Sequence, residues 1–199
     1  MTKSRSQTHR TLHSAFIAFS LLGVALSPAI TAIPAHAEKA VAPEKNPPGD
    51  IPDTQVFVDY VSPAGFTMKV PEGWARSDNA DGVSFVDKLD GVIVTVSDAS
   101  TAPTAASIIT EYFPTLESHG RAVTIDGVKP VQLPAGSAFL ISYSSNSEPN
   151  AVTNKQVRQE NNRYLFYKSG KLVALDLYAP LGADNVDQWQ LMSQSFRWN

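Results

Sequence analysis

Asp176 is the residue whose setting most needs a chemical explanation. It interrupts the apolar run Leu172 to Tyr178. Strand alternation puts it on one face with Leu172, Ala174 and Tyr178, and puts Val173, Leu175 and Leu177 on the other. If both faces are covered, this carboxylate must be paired or hydrogen-bonded, or its pKa rises. Arg158 and Arg163 on the preceding strand are the candidate partners. A functional reading makes Asp176 a polar anchor at the floor of a ligand cleft. A structural reading makes it half of an ion pair across a hairpin, or a residue on a partly open face. Trp74, Tyr60, Tyr164 and Tyr167 could line a groove, because aromatic side chains dominate binding surfaces. They are equally what a core without disulfides needs. The ligand-binding candidates are therefore Asp176, Tyr164, Tyr178 and Trp74.

Catalytic and metal sets are harder to assemble. The chain has four histidines and no cysteine, so thiolate nucleophiles and cysteine metal sites are excluded. His9, His13 and His36 fall in the N-terminal segment discussed below, which leaves His119 alone for any triad or proton shuttle. His119 sits near a helix end, where an imidazole interacts with the last carbonyls and the dipole. Ser142, Ser144 and Ser145 offer hydroxyls without a base, and no Gly-x-Ser-x-Gly elbow or phosphate-cradling glycine loop is present. Ser77-Asp78-Asn79-Ala80-Asp81-Gly82 approaches a calcium-loop spacing, but the twelfth position is Lys88 where a bidentate glutamate is required. That stretch reads as a polar turn. The inventory implies no catalytic residue, no metal and no cofactor.

The first 37 residues read as an export signal. Lys3, Arg5 and Arg10 form a basic start, Ala15 to Leu26 is apolar, and Ala35-His36-Ala37 is a small-x-small cleavage site. The apolar run is about 12 residues, short of the roughly 20 that span a bilayer. Cleavage near Ala37 would leave 162 of the 199 residues, one domain in size. It would take away three of the 16 Lys and Arg and none of the 19 Asp and Glu, moving the net charge from −3 to −6. A domain that acidic is poorly suited to nucleic acid or anionic lipid, which need clustered cations. Without a cysteine at the cleavage site there is no lipid attachment, so no stable membrane anchor is expected. The expected location is periplasmic or secreted.

The elements that must position the candidates follow from periodicity. Residues 38 to 55 hold four prolines and no apolar pattern, and read as an extended, solvated linker. A single domain over residues 56–199 follows. Val56 to Tyr60 and Phe66 to Val70 form a first hairpin, and Val83 to Lys88 pairs with Val92 to Ser97 through Leu89-Asp90-Gly91. Thr104 to Gly120 aligns Ile108, Ile109, Tyr112, Phe113 and Leu116 as a helix face, with Pro114 expected to kink or end it. Arg121 to Ile125 and Val128 to Leu133 read as a hairpin across Asp126-Gly127. Ala138 to Tyr143 is a strand, residues 144 to 154 form a polar loop, and Val157 to Tyr167 pairs with Leu172 to Ala179. A short helix from about Asn185 to Gln194 precedes Ser195-Phe196-Arg197-Trp198. Tight turns between neighbours require antiparallel pairing, and the helices need a sheet face to cover. The fold class is α+β, an antiparallel sheet with helices packed on it.

Phe57-x-x-Tyr60 followed by Gly65-Phe66-Thr67-Met68-Lys69-Val70-Pro71-Glu72-Gly73-Trp74 resembles the opening hairpin of the PsbP-like domains. These include the extrinsic photosystem II subunit, a eukaryotic Ran-binding relative and mycobacterial LpqN-type lipoproteins. The element order and the closing Ser195-Phe196-Arg197 are similar to that superfamily too. The resemblance implies an α-β-α sandwich and a non-enzymatic accessory or binding role, and carries over no catalytic residue. This chain departs from the lipoproteins in having no cysteine to lipidate.

Together these readings lead to an exported, non-catalytic binding protein of the bacterial envelope. It would contact an unidentified envelope protein or a small ligand, with the 144 to 154 loop as the expected contact element. The alternative is a carrier holding a lipid or other hydrophobic ligand in a cavity between sheet and helices. An enclosed apolar cavity would mark the carrier, and a filled core between sheet and helices would count against it.

Overall fold

The structure is a computed structural model, and residues 38–199 are described. The expected signal segment and its cleavage site fall outside the described residues. A small sheet forms from strands β1 (Phe57–Ser62), β2 (Phe66–Pro71) and β10 (Arg197–Trp198), in the order β1-β2-β10. The large sheet comprises β3 (Ala75–Asn79), β4 (Gly82–Asp87), β5 (Asp90–Asp98), β6 (Thr124–Leu133), β7 (Gly136–Asn146), β8 (Arg158–Lys168) and β9 (Lys171–Pro180). Its order is β3-β4-β5-β9-β8-β7-β6, with every neighbouring pair antiparallel. Between β5 and β6 run α1 (Ala105–Ser107), a π turn (Ile108–Tyr112) and α2 (Phe113–His119), and α3 (Val186–Ser195) leads into β10.

The large sheet is covered on both faces. On one side, Val173, Leu175, Leu177, Tyr164 and Phe166 meet the small sheet and α3. Phe196 is the pin: its ring stacks on Phe166 of the large sheet at 4.2 Å and on Phe66 of the small one at 5.3 Å. Ser195 fixes the approach by accepting from the Lys69 N–H at 2.8 Å. On the other side, Ile108 and Leu116 pack onto Ile141, Tyr143 and Leu165. At Ile108 and Leu116 the helix packs directly on the sheet. The α+β class expected from the sequence is what the chain forms.

Several local expectations are corrected. Asp126-Gly127 is not a hairpin turn: β6 is one strand, and Asp126 is the extra residue of a bulge between Ile125 and Gly127. The β4–β5 turn falls on Lys88-Leu89, with Asp87 opposite Asp90 and Lys88 at φ 51°. Ser77 and Asp78 lie in β3, and only Asn79 to Gly82 turns. The exposed edge strand β3 has no buried face, so no alternation marks it in the sequence. Pro114 does not end the helix. The Phe113 N–H reaches back five residues to Ile108, and Pro114 then lies in the first turn of α2, where no intrahelical donor is needed. Strand β7 continues to Asn146, so the polar loop begins at Ser147.

Residues 38–55 are extended but not a free linker. Ile51 is 4% exposed in the main core. Its N–H donates to Asn185 Oδ1 at 2.6 Å, its carbonyl accepts from Gln188 Nε2 at 3.0 Å, and Asn185 Nδ2 donates to the Gly49 carbonyl at 2.8 Å. Side-chain amides of α3 and its cap replace a strand partner, a pairing that apolar periodicity cannot reveal.

Candidate ligand cleft

The helix-side face of the large sheet changes character along its strands. Register places Leu165 opposite Ala174, Arg163 opposite Asp176 and Asn161 opposite Tyr178; on β7, Ile141 faces Arg163 and Tyr143 faces Asn161. The Leu165 and Ile141 end is apolar and lies under the helix. Beyond Arg163 and Asp176 the same face is polar, and there the helical cover stops. An open cleft of about 850 Å³ results, with Asp176, Arg163, Asn161, Tyr143 and Tyr178 among its lining. The loop after β7 forms its rim through Ser147, Asn150, Lys155 and Gln156.

Asp176 and Arg163 are joined by an ion pair from Nε to Oδ1. Arg163 Nη1 also donates to the Tyr112 hydroxyl at 3.0 Å, and the Tyr143 hydroxyl donates to Asp176 Oδ1 at 3.4 Å. The guanidinium carbon lies 5.7 Å from the Tyr112 ring centre and 5.8 Å from that of Tyr143, a cation–π arrangement. Burial pushes the Asp176 carboxyl up, while the facing Arg163 charge pulls it back. Burial works against the Arg163 charge, but Asp176 outweighs it and the guanidinium pKa rises. Burial likewise raises the phenols of Tyr143 and Tyr112. The floor is therefore a charge-compensated pair, Asp176 buried and Arg163 partly exposed, flanked by two phenols whose pKa values burial raises. It can orient a ligand through hydrogen bonds and ring faces.

Tyr178 completes the floor by lying over Gly91. A Cβ at residue 91 would stand 2.2 Å from the Tyr178 ring, so only glycine fits beneath it. Next to Gly91, the buried Asp90 has Oδ1 without a hydrogen-bond partner among the described residues. Burial, with Asp87 and Asp50 adding to it against Lys88, pushes its carboxyl up to about 7.

The four sequence candidates are split by the structure. Asp176 and Tyr178 share the cleft. Tyr164 points to the other face of the sheet, where it borders a second groove of about 530 Å³ beside Trp189 of α3. Trp74 packs at the edge of the main core and lines neither. Of the two proposed partners for Asp176, Arg163 takes the role. Arg158 turns away to the Ala122 carbonyl at 2.7 Å, Ser144 Oγ at 2.7 Å and Asn146 Oδ1 at 3.1 Å. His119 Nδ1 donates to the Thr115 carbonyl at 2.9 Å, the local role expected at a helix end. Sequence reasoning missed Tyr112, Tyr143, Asn161 and the amides of the rim. A partial signal existed for one of them: the unbroken polar run Arg158 to Arg163 before Tyr164-Leu165-Phe166 marks the first half of β8 as polar, though on both faces.

No family model and no curated protein matches the chain in sequence. Solved structures do match in fold. Cyanobacterial PsbP from Synechocystis sp. PCC 6803 superposes with a TM-score of 0.54 at 15% identity, covering 76% of this chain and 98% of that one. The Ran-binding protein Mog1p of Saccharomyces cerevisiae gives 0.50 at 12% identity, covering 73% and 96%. LpqN of Mycobacterium tuberculosis, a protein involved in cell envelope biogenesis, gives 0.46 at 13% identity over 72% and 89%, and carries no argument. At these identities the likeness speaks for architecture alone. The domain of residues 38–199 has the PsbP-like fold.

Proposed function

We propose that this chain is an exported, non-catalytic binding protein whose ligand seat is the cleft floored by Arg163 and Asp176. The observation that carries the reading is the buried ion pair, set among Tyr112, Tyr143 and Tyr178 where the helical cover ends. A polar floor of this kind is costly to bury. A binding role is also in keeping with the PsbP-like fold. The basic start, apolar run and Ala35-His36-Ala37 support export, and among the described residues no helix is long and apolar enough to cross a membrane.

The cleft is open rather than enclosed and has Arg163, Asp176 and Asn161 in its lining, which favours a small polar ligand over an enclosed lipid. A non-catalytic role is supported by the state of the cleft's groups: Asp176 is neutralised by Arg163, and His119 is engaged with its own helix. The test is native mass spectrometry of the protein purified without denaturant, comparing the chain with a variant whose floor pair is replaced. A bound small molecule that depends on the pair is the expected result. An adduct indifferent to it would refute the assignment.

A further inference from the structure

Three side chains in the lining of the cleft already hold a carboxylate. Glu38 receives Arg121 Nη1 at 2.6 Å on Oε2 and Asn146 Nδ2 at 3.0 Å on Oε1, with Gln156 Nε2 on the same Oε1. The three donors come from the segment after α2, the end of β7 and the rim loop, and all three line the cleft. Asn146 is fixed in the orientation this requires. Its Oδ1 accepts from Arg158 Nη1 at 3.1 Å and from the Val41 N–H at 3.0 Å, which leaves Nδ2 for Glu38 and the Lys39 carbonyl. Arg121, whose Nε also pairs with Glu148 Oε1 at 3.0 Å, and two amides converge on the Glu38 carboxylate and make a charge-assisted anion receptor. The hydrogen bonds from Asn146, Gln156 and Arg121 hold the Glu38 carboxyl down to about 2.

The segment that delivers Glu38 is built to leave. Among the described residues no hydrogen bond ties residues 42–48 to the domain, and residues 42–46 are exposed. Glu44 borders the cleft, so the segment passes its mouth. Pro43, Pro47 and Pro48 stiffen it, and Gly49 at φ 122° precedes the Asn185 and Ile51 anchor. Residues 38–48 therefore form a stiff strap, fixed at one end by the core and at the other by the clamped Glu38 carboxylate and the Lys39 and Val41 backbone bonds to Asn146.

We propose that the Arg121–Asn146–Gln156 corner is the carboxylate subsite of the cleft, filled in the resting chain by its own Glu38. A small molecule with a carboxylate at one end and an aromatic or apolar body to lie on the tyrosines displaces it. This deepens the cleft reading and rests on it. The carboxylate can belong to a free organic acid or to a short peptide; the chemistry at the corner is the same. A tethered competitor acts at millimolar effective concentration, and the apparent affinity for an added ligand falls by the fraction of time the corner is free.

The experiment titrates the chain, its Glu38→Ala variant and the double variant Glu38→Ala/Arg121→Ala. The probes are phenylpropionate and the peptide Glu-Lys-Ala-Val-Ala, which copies residues 38–42, with side-chain amide and tyrosine ring resonances followed by NMR. Glu38→Ala is expected to tighten at least one probe by about tenfold or more, with the Asn146 and Gln156 amides shifting, and Arg121→Ala removes the gain. Which probe gains tells acid from peptide. Equal affinity with and without Glu38 for both probes, or a gain that survives loss of Arg121, overturns the proposal. Shifts confined to the tyrosine rings overturn it while leaving the cleft reading intact. Shifts confined to the amides support it and contradict the tyrosine floor.

Discussion

Arg163 and Asp176 stand directly opposite each other on β8 and β9, and their ion pair marks the line where the helix-side face turns from apolar to polar. Asp176 is buried and Arg163 largely so, and the two halves are worth more together than either is alone. Arg163→Ala leaves an uncompensated carboxylate and should destabilise the fold by about 3 kcal/mol or more. Replacing both residues by leucine should return the unfolding free energy to within about 1 kcal/mol of the starting chain. Denaturant titration of the single and double variants measures this. Additive losses would remove the pair from the description of the floor.

Gly91 and Tyr178 form a second interlock. Gly91→Ala places a methyl 2.2 Å from the ring, which must swing away at a cost of about 1–3 kcal/mol. The added Tyr178→Ala change should recover most of the loss that Gly91→Ala causes in its presence. Thermal unfolding of the four chains in this cycle gives the coupling.

Asp90 sets a pH dependence. Its folded pKa, about 7, lies above the usual carboxylate value because burial disfavours the charge. The stability it contributes is thus fully present below about pH 4 and is lost as pH rises toward 7. Asp90→Asn should flatten that loss. The difference between variant and starting chain in urea midpoint should grow in the variant's favour from pH 5 to pH 8. A difference independent of pH would show that Asp90 does not titrate in this window.

How much of this was legible in the sequence follows from what each residue depends on. The period-2 run of β2, the apolar runs of β4, β5 and β9 and the spacing of Ile108, Tyr112 and Leu116 announced themselves, because these side chains are buried on one face or both. The opening hairpin carried the PsbP-like resemblance for the same reason. Asp176 stood out because a charge in an apolar strand is rare, and strand alternation gave its face correctly. Its neighbours Tyr112 and Tyr143 did not, since only the register of β7 against β8 and the path of the helix bring them there. Edge strand β3, the Asp126 bulge and the docking of Ile51 were hidden. The first has no apolar face, the second uses a hairpin dipeptide inside a strand, and the third depends on partners more than 130 positions away.

The docking of Ile51 has its own consequence. Asn185→Ala removes the acceptor of the Ile51 N–H and the donor to Gly49. A loss of about 1–3 kcal/mol is expected, with hydrogen exchange at the Ile51 amide accelerating ahead of the β9 amides. Unchanged protection of Ile51 would restore the picture of a free linker.

Native mass spectrometry decides most directly whether the cleft is the ligand seat. The chain and its Arg163→Leu/Asp176→Leu variant are purified in parallel without denaturant, after circular dichroism has established that both are folded. The chain is expected to carry one small molecule per protein, of low mass and with polar groups, and the folded variant to lose it. An adduct retained equally by both, or none on either, would contradict the cleft as the binding site.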